Sequence, residues 1–173
     1  MTEENTDDPG RDAPAIDSRA GFTAAILWGF ERAMREGGRT RRIVCVDRDF
    51  AQWPLDTPAL LDALTAWLKR GAHRQLVLLA ATYDEMPRRH PRFVGWRRHF
   101  AHVVSPYGAP EDAAATLPTL LLDDDGTLVR LIDPVHWRGR ASADERSVLP
   151  WREQIDALLQ RSEAAFPVQS LGL

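Results

Sequence analysis

Two short apolar runs, Arg42-Ile-Val-Cys-Val46 and Arg74-Gln-Leu-Val-Leu-Leu-Ala-Ala81, bracket an amphipathic stretch, and that arrangement narrows the fold class more than anything else in the chain. Continuous apolar runs of this length fit strands covered on both sheet faces. Between them, Thr57 and Pro58 read as an N-cap and first helical residue. Leu60, Leu61, Leu64, Trp67 and Leu68 then repeat at helical spacing, and Gly71 ends the run. Strand, helix, strand over about forty residues predicts a βαβ unit with parallel strands and a right-handed crossover.

The rest of the chain extends this unit. Ser18 is placed to cap a helix running to about residue 36, with Phe22, Ile26, Phe30 and Ala33 on one face. Pro91 is expected to open a further helix through Ala101, followed by a strand over 102–106. Leu117 to Ile132 reads as a hairpin, because Asp123-Asp-Asp-Gly126 separates two apolar runs and Asp-Gly tolerates positive φ. Asp133-Pro-Val-His-Trp-Arg-Gly139 is read as a polar loop. Ser142 to Glu145 has the spacing of a capping box, but Pro150 is expected to divide any helix starting there. The last helix is therefore placed at about 150–165. The expected fold is α/β and three-layered: a mixed, mostly parallel sheet of about five strands with helices on both faces. Residues 1–16, acidic and proline-containing, are expected to be a disordered tail, and 17–173 a single domain.

Composition excludes some functions and narrows others. A net charge of −3 argues against indiscriminate binding to nucleic acid or membrane. No apolar run approaches the ~20 residues of a bilayer span, and the N-terminus lacks signal-peptide character. One cysteine fits a reducing, cytoplasmic setting and permits no intrachain disulfide. Of the 22 basic residues only Lys69 is lysine, so any amine chemistry must use it.

Candidate site residues fall in three places. Asp47, Arg48 and Asp49 end the first strand, at the sheet edge where open α/β folds place their sites. Arg88, Arg89, His90, Arg92, Arg97, Arg98, His99 and His102 gather near the third helix, with Arg92 and His99 flanking Trp96 at i and i+7. His136 and Arg138 lie after the hairpin, where His136 can serve as a base and Arg138 as a phosphate clamp. A structural alternative has Trp137 plugging the loop and Arg138 pairing with Asp133. No histidine and carboxylate spacing points to a metal, and no glycine-rich phosphate loop points to a nucleotide cofactor.

The element order, with Val46-Asp-Arg-Asp49, Leu120-Leu-Leu-Asp-Asp-Asp-Gly126 and the Gly139 loop, resembles half of a phospholipase D-type fold. It is similar to a family of uncharacterised bacterial domains of that kind. Active members carry His-x-Lys, four residues, then Asp on this hairpin: His attacks phosphorus, Lys neutralises phosphate oxygens and Asp supports the assembly. With Asp125 as the turn residue, Pro118 and Leu120 occupy the His and Lys positions. Asp124 gives Leu117 and Thr119, and Asp123 gives Thr116 and Pro118. No register supplies the chemistry.

The expectation is therefore a non-catalytic phospholipase D-like domain, a pseudoenzyme that binds a partner or a phosphate-bearing ligand. Arg48, Arg92, His99, His136 and Arg138 are the candidate anion contacts. The resemblance also implies a homodimer, because half-size members pair across the active-site face; burial of Trp137 or of Leu171-Gly-Leu173 between chains would mark it. Two rivals are a hydrolase or transferase using His136, Arg138, Asp47 and Asp49, and a nucleic-acid-binding module using residues 88–102.

Overall fold

A computed structural model describes residues 13–168; most of the acidic tail and the Leu171–Leu173 terminus lie outside the described residues. The βαβ unit forms as expected. Strand β1 (Arg42–Asp47), helix α2 (Pro58–Lys69) and strand β2 (Gln75–Ala80) follow helix α1 (Arg19–Ala33), and β1 pairs with β2 in parallel. Strand β3 (Val104–Gly108) adds beside β2, also in parallel. Strands β4 (Thr119–Asp123), β5 (Leu128–Asp133) and β6 (Arg138–Ser142) form an antiparallel meander on the other side of β1. A two-residue strand β7 (Glu163–Ala164) closes the far edge on β3. The order is β6-β5-β4-β1-β2-β3-β7.

The sheet thus has seven strands, not five, and four of its six pairings are antiparallel, so it is mixed but not mostly parallel. The main source of the difference is residues 133–139. They are not a wandering loop but a tight turn into β6, whose Arg-Gly-Arg-Ala-Ser sequence has no apolar alternation to announce a strand. Asp133 makes the turn by accepting from the amides of Val135 and His136.

Two cores sit on the two sheet faces. Alternate residues Ile43, Cys45, Leu76, Leu78, Leu121 and Val129 meet α1, α2 and Phe93. Val44, Val46, Val77, Leu79, Leu120 and Leu122 meet Val148 and Ile155 of helix α6 (Glu145–Gln160) on the opposite face. Helix α6 runs through Pro150 instead of starting there. Its cap is Asp144, which accepts from the Arg146 amide and from the Ser147 hydroxyl, and not Ser142. Pro150 is exposed near the helix start, and so is Arg146, whose carbonyl loses its helical partner there. The third expected helix opens at Pro91 as read, but α4 (Pro91–Arg97) gives way to a 3₁₀ turn over Arg98–Phe100, and a short helix α3 (Met86–Arg89) precedes it where a loop was expected. A short helix α5 (Glu111–Ala114) lies before β4.

The Asp123-Asp-Asp-Gly126 turn is built as a clasp. Asp123 is fully buried, accepts from the amides of Asp125 and Thr127, and takes a 2.9 Å bond from the Thr40 hydroxyl. Asp124 accepts from the Arg41 amide, and Asp125 from the Arg39 amide and the Arg35 guanidinium. Gly126 takes φ of 89°, the left-handed conformation the turn requires. All three carboxylates fasten the hairpin to the α1–β1 connection. Among the described residues no helix is long and apolar enough to cross a membrane.

Candidate functional site

Strand directions sort the candidate residues by edge. Asp47 ends β1, Thr119 begins β4 and the β5–β6 turn joins Asp133 to Arg138, so all lie at the carboxyl edge of the parallel strands. Asp47 faces inward. It accepts from the Phe50 amide at 2.8 Å and from the Thr119 hydroxyl. Burial pushes its carboxyl up from the ordinary value, against the opposing pull of those hydrogen bonds. Asp49 accepts from the Ala51 amide. These bonds hold the loop in which Phe50 takes a left-handed φ of 59°. The Phe50 carbonyl receives the Nε2–H of His90 at 2.7 Å, and the other ring nitrogen is buried without a partner among the described residues.

His136 and Arg138 are not brought to Asp47 and Asp49. Strands β4 and β5 stand between β1 and β6, so Arg138 lies about 14 Å from β1 across the sheet. His136 bonds Asp133 at 2.8 Å instead, and that contact holds the Asp133 carboxyl below its ordinary value. Asp133 therefore pairs with His136 and not with Arg138. Trp137, at a left-handed φ of 53°, turns back onto Phe22 within the same chain, with ring centroids 5.6 Å apart.

The basic segment 88–102 is also broken up. Arg88 and Arg89 pair with Glu85. His90 and Arg97 are buried in the core and do not belong to a surface stripe. Arg97 donates to the Phe166 carbonyl at 2.6 Å and lies over that ring, and burial lowers its pKa. Arg92 is the second residue of α4, its amide bonded to Asp56, whereas His99 sits on the 3₁₀ turn at the amino edge. Arg48 is exposed at the end of β1. The five anion candidates thus occupy separate places, and only His136 and Arg138 are close in the chain, at the β5–β6 turn and the start of β6.

The register of the meander reveals cations that sequence spacing did not group. Arg130 and Arg140 are direct cross-strand partners on β5 and β6. Arg138 is two residues from Arg140 on β6, so alternation puts all three on one side of the ribbon. The Arg130 guanidinium lies 4.5 Å from the centre of the Trp151 ring on α6. No ion pair engages any of the three among the described residues. The Arg-x-Arg spacing was the available signal, but it pointed to one face only once 138–142 was known to be a strand. Two of the large apolar side chains that stand exposed, Ile132 and Val135, flank the same turn at 55% and 79% exposure. Among the described residues no cluster of three metal-ligating side chains occurs.

No family model matches the chain, and no curated protein sequence matches it. Among solved structures it is similar to TrmBL2, described as an archaeal chromatin protein showing a novel mode of DNA binding. The likeness has a TM-score of 0.56 at 13% identity and covers 83% of this chain. The chain spans about half of that protein, 51% of its length. At this identity the likeness concerns the fold.

Proposed function

We propose that this chain is a non-catalytic binding module, of the half-size phospholipase D-like kind, whose β5–β6 ribbon binds a phosphate-bearing polyanion. The observation that carries the reading is the alignment of Arg130, Arg138 and Arg140 on one side of an edge ribbon, without carboxylate partners among the described residues. Three guanidinium groups at strand spacing match a repeating phosphate chain better than a single compact anion, because each fork can grip its own phosphate. The Trp151 face beneath Arg130 holds one fork in place. Ile132 and Val135 add apolar contact beside the charged stripe. Nucleic acid is the natural first probe, and the name of TrmBL2 is in keeping with that choice.

The test is fluorescence anisotropy with a labelled DNA duplex over a salt series. Three phosphate contacts give a slope of log K against log salt of about −2.7. Arg138→Glu with Arg140→Glu abolishes binding, while Arg92→Glu with Arg98→Glu leaves it unchanged. Binding that ignores salt, or that survives the ribbon pair and fails with the α4 pair, would overturn the assignment.

A further inference from the structure

At the amino edge of the sheet, away from the ribbon, lies a basin of about 540 Å³ lined by Leu68, Lys69, His99, Phe100, His102 and Val103. Its composition is unusual for a chain with net charge −3: half of the lining can carry positive charge and no carboxylate lines it. Three elements build it. Lys69 is the last residue of α2, His99 and Phe100 belong to the 3₁₀ turn, and His102 and Val103 lead into β3. The backbone there is fixed, since the Val103 amide bonds the Phe100 carbonyl and the Val103 carbonyl accepts from Leu76. The apolar floor is fixed too, because Phe100 stacks on Trp96 at 4.8 Å and Trp96 donates to the Thr65 hydroxyl.

The cationic side chains are not used by the fold. Neither Lys69 nor the rings of His99 and His102 make a hydrogen bond or ion pair among the described residues, whereas neighbouring Arg70 and Arg74 are spent on the Met34 and Trp67 carbonyls. The apolar groove between α1 and α2, about 490 Å³, is different, because its rim arginines Arg35 and Arg70 are already bonded to Asp125 and Met34.

We propose that this basin is a binding site for a small organic phosphate, with its apolar or aromatic part on Phe100, Leu68 and Val103. The phosphate meets Lys69, His99 and His102 together. A volume of this size suits a compact ligand bearing one ring. A phosphate suits a lining with three donor side chains because its terminal oxygens can each accept one, and Lys69 supplies an ammonium point charge. The site stands independently of the ribbon, at the opposite end of the strands.

Phenyl phosphate titrated into the full chain, followed through the ring resonances of His99 and His102, tests the site directly. Inorganic phosphate and phenol serve as its two halves. Saturable shifts are expected with phenyl phosphate, with binding at least about fivefold weaker for inorganic phosphate and no saturation with phenol. Lys69→Ala weakens binding about tenfold, the loss of one charge-assisted contact, while Lys69→Arg stays within about threefold. Lys69 is exposed and alanine favours helix, so the variant keeps its fold. Arg138→Glu with Arg140→Glu leaves these shifts unchanged, which separates this site from the ribbon. No saturation, equal affinity for inorganic phosphate, or indifference to Lys69→Ala would each overturn the proposal.

Discussion

Asp47 places a carboxylate under the loop that follows β1, where burial opposes its charge and the Thr119 hydroxyl and the Phe50 amide support it. The balance raises its pKa, so the folded chain holds a proton at pH values where the unfolded chain has released it. Between the ordinary carboxylate value and the raised one, the native state binds more protons, and stability falls as pH rises through that window. Asparagine at this position keeps an acceptor for the Phe50 amide and has no charge to desolvate. Urea midpoints of Asp47→Asn and of the parent chain are therefore expected to converge below about pH 4 and to separate at neutral pH, the variant being the more stable. A parent chain that gains on the variant as pH rises would show that hydrogen bonding outweighs burial. The same residue shows what composition could not convey. The cluster Asp47-Arg-Asp49 invites a catalytic reading, but both carboxylates accept from backbone amides of their own loop. A sequence shows the carboxylates without showing the donors turned toward them.

At the scale of elements, strand β6 is the least legible and the most informative. Strands β1 and β2 announce themselves because both faces are covered and their central positions are all apolar. Strand β6 is an edge, half-exposed, and its inward positions are Gly139 and Ala141, which carry little hydrophobic signal. Gly139 is there for a steric reason. A Cβ at this position would meet the Arg130 carbonyl oxygen at 2.2 Å, beside the irregularity between Leu131 and Asp133. That neighbour is backbone and cannot rotate away. Gly139→Ala is expected to cost about 3 kcal/mol, the upper end of what an added methyl group costs when the surroundings cannot yield, and to loosen amide protection in β5 and β6 before the rest of the sheet. Thermal unfolding with hydrogen exchange reads both; an unchanged melting temperature would mean the bulge absorbs the methyl group. Pro150 misled for a related reason. Its helix-breaking effect is real in a buried interior, but on the early turns of α6 both Pro150 and Arg146 are exposed, and the Asp144 cap fixes the start upstream. The ribbon arginines became one surface only through the β5–β6 register, because Arg130 and Arg140 are ten positions apart in sequence.

Across the whole molecule, the chain closes its sheet at both edges with short segments from near its two ends. Ile16 bridges Gly139 on β6, and β7 pairs with β3. The second closure is locked by aromatic contacts: Phe166 stacks on Tyr83 at 5.2 Å, and the Arg97 guanidinium lies 4.5 Å from its ring centre. Tyr83 in turn donates to the Tyr107 carbonyl at 2.7 Å, which ties the closure to β3 itself. Arg97 is a buried cation without a carboxylate partner among the described residues, so the Phe166 ring and carbonyl are its compensation. Removing the ring uncovers Tyr83 and leaves Arg97 with the carbonyl alone. Phe166→Ala is therefore expected to cost about 2 kcal/mol, below the fully buried range because the ring is half-exposed. Replacing Arg97 with methionine in the same background separates the causes. If the cation's lost compensation dominates, the double variant recovers stability over Phe166→Ala in a double-mutant cycle. If the stack on Tyr83 dominates, the two substitutions add without coupling. Because β7 and the ribbon lie at opposite edges, neither variant is expected to change DNA affinity measured at a temperature where the chain remains folded. A parallel loss of affinity would mean the two edges are coupled through the sheet.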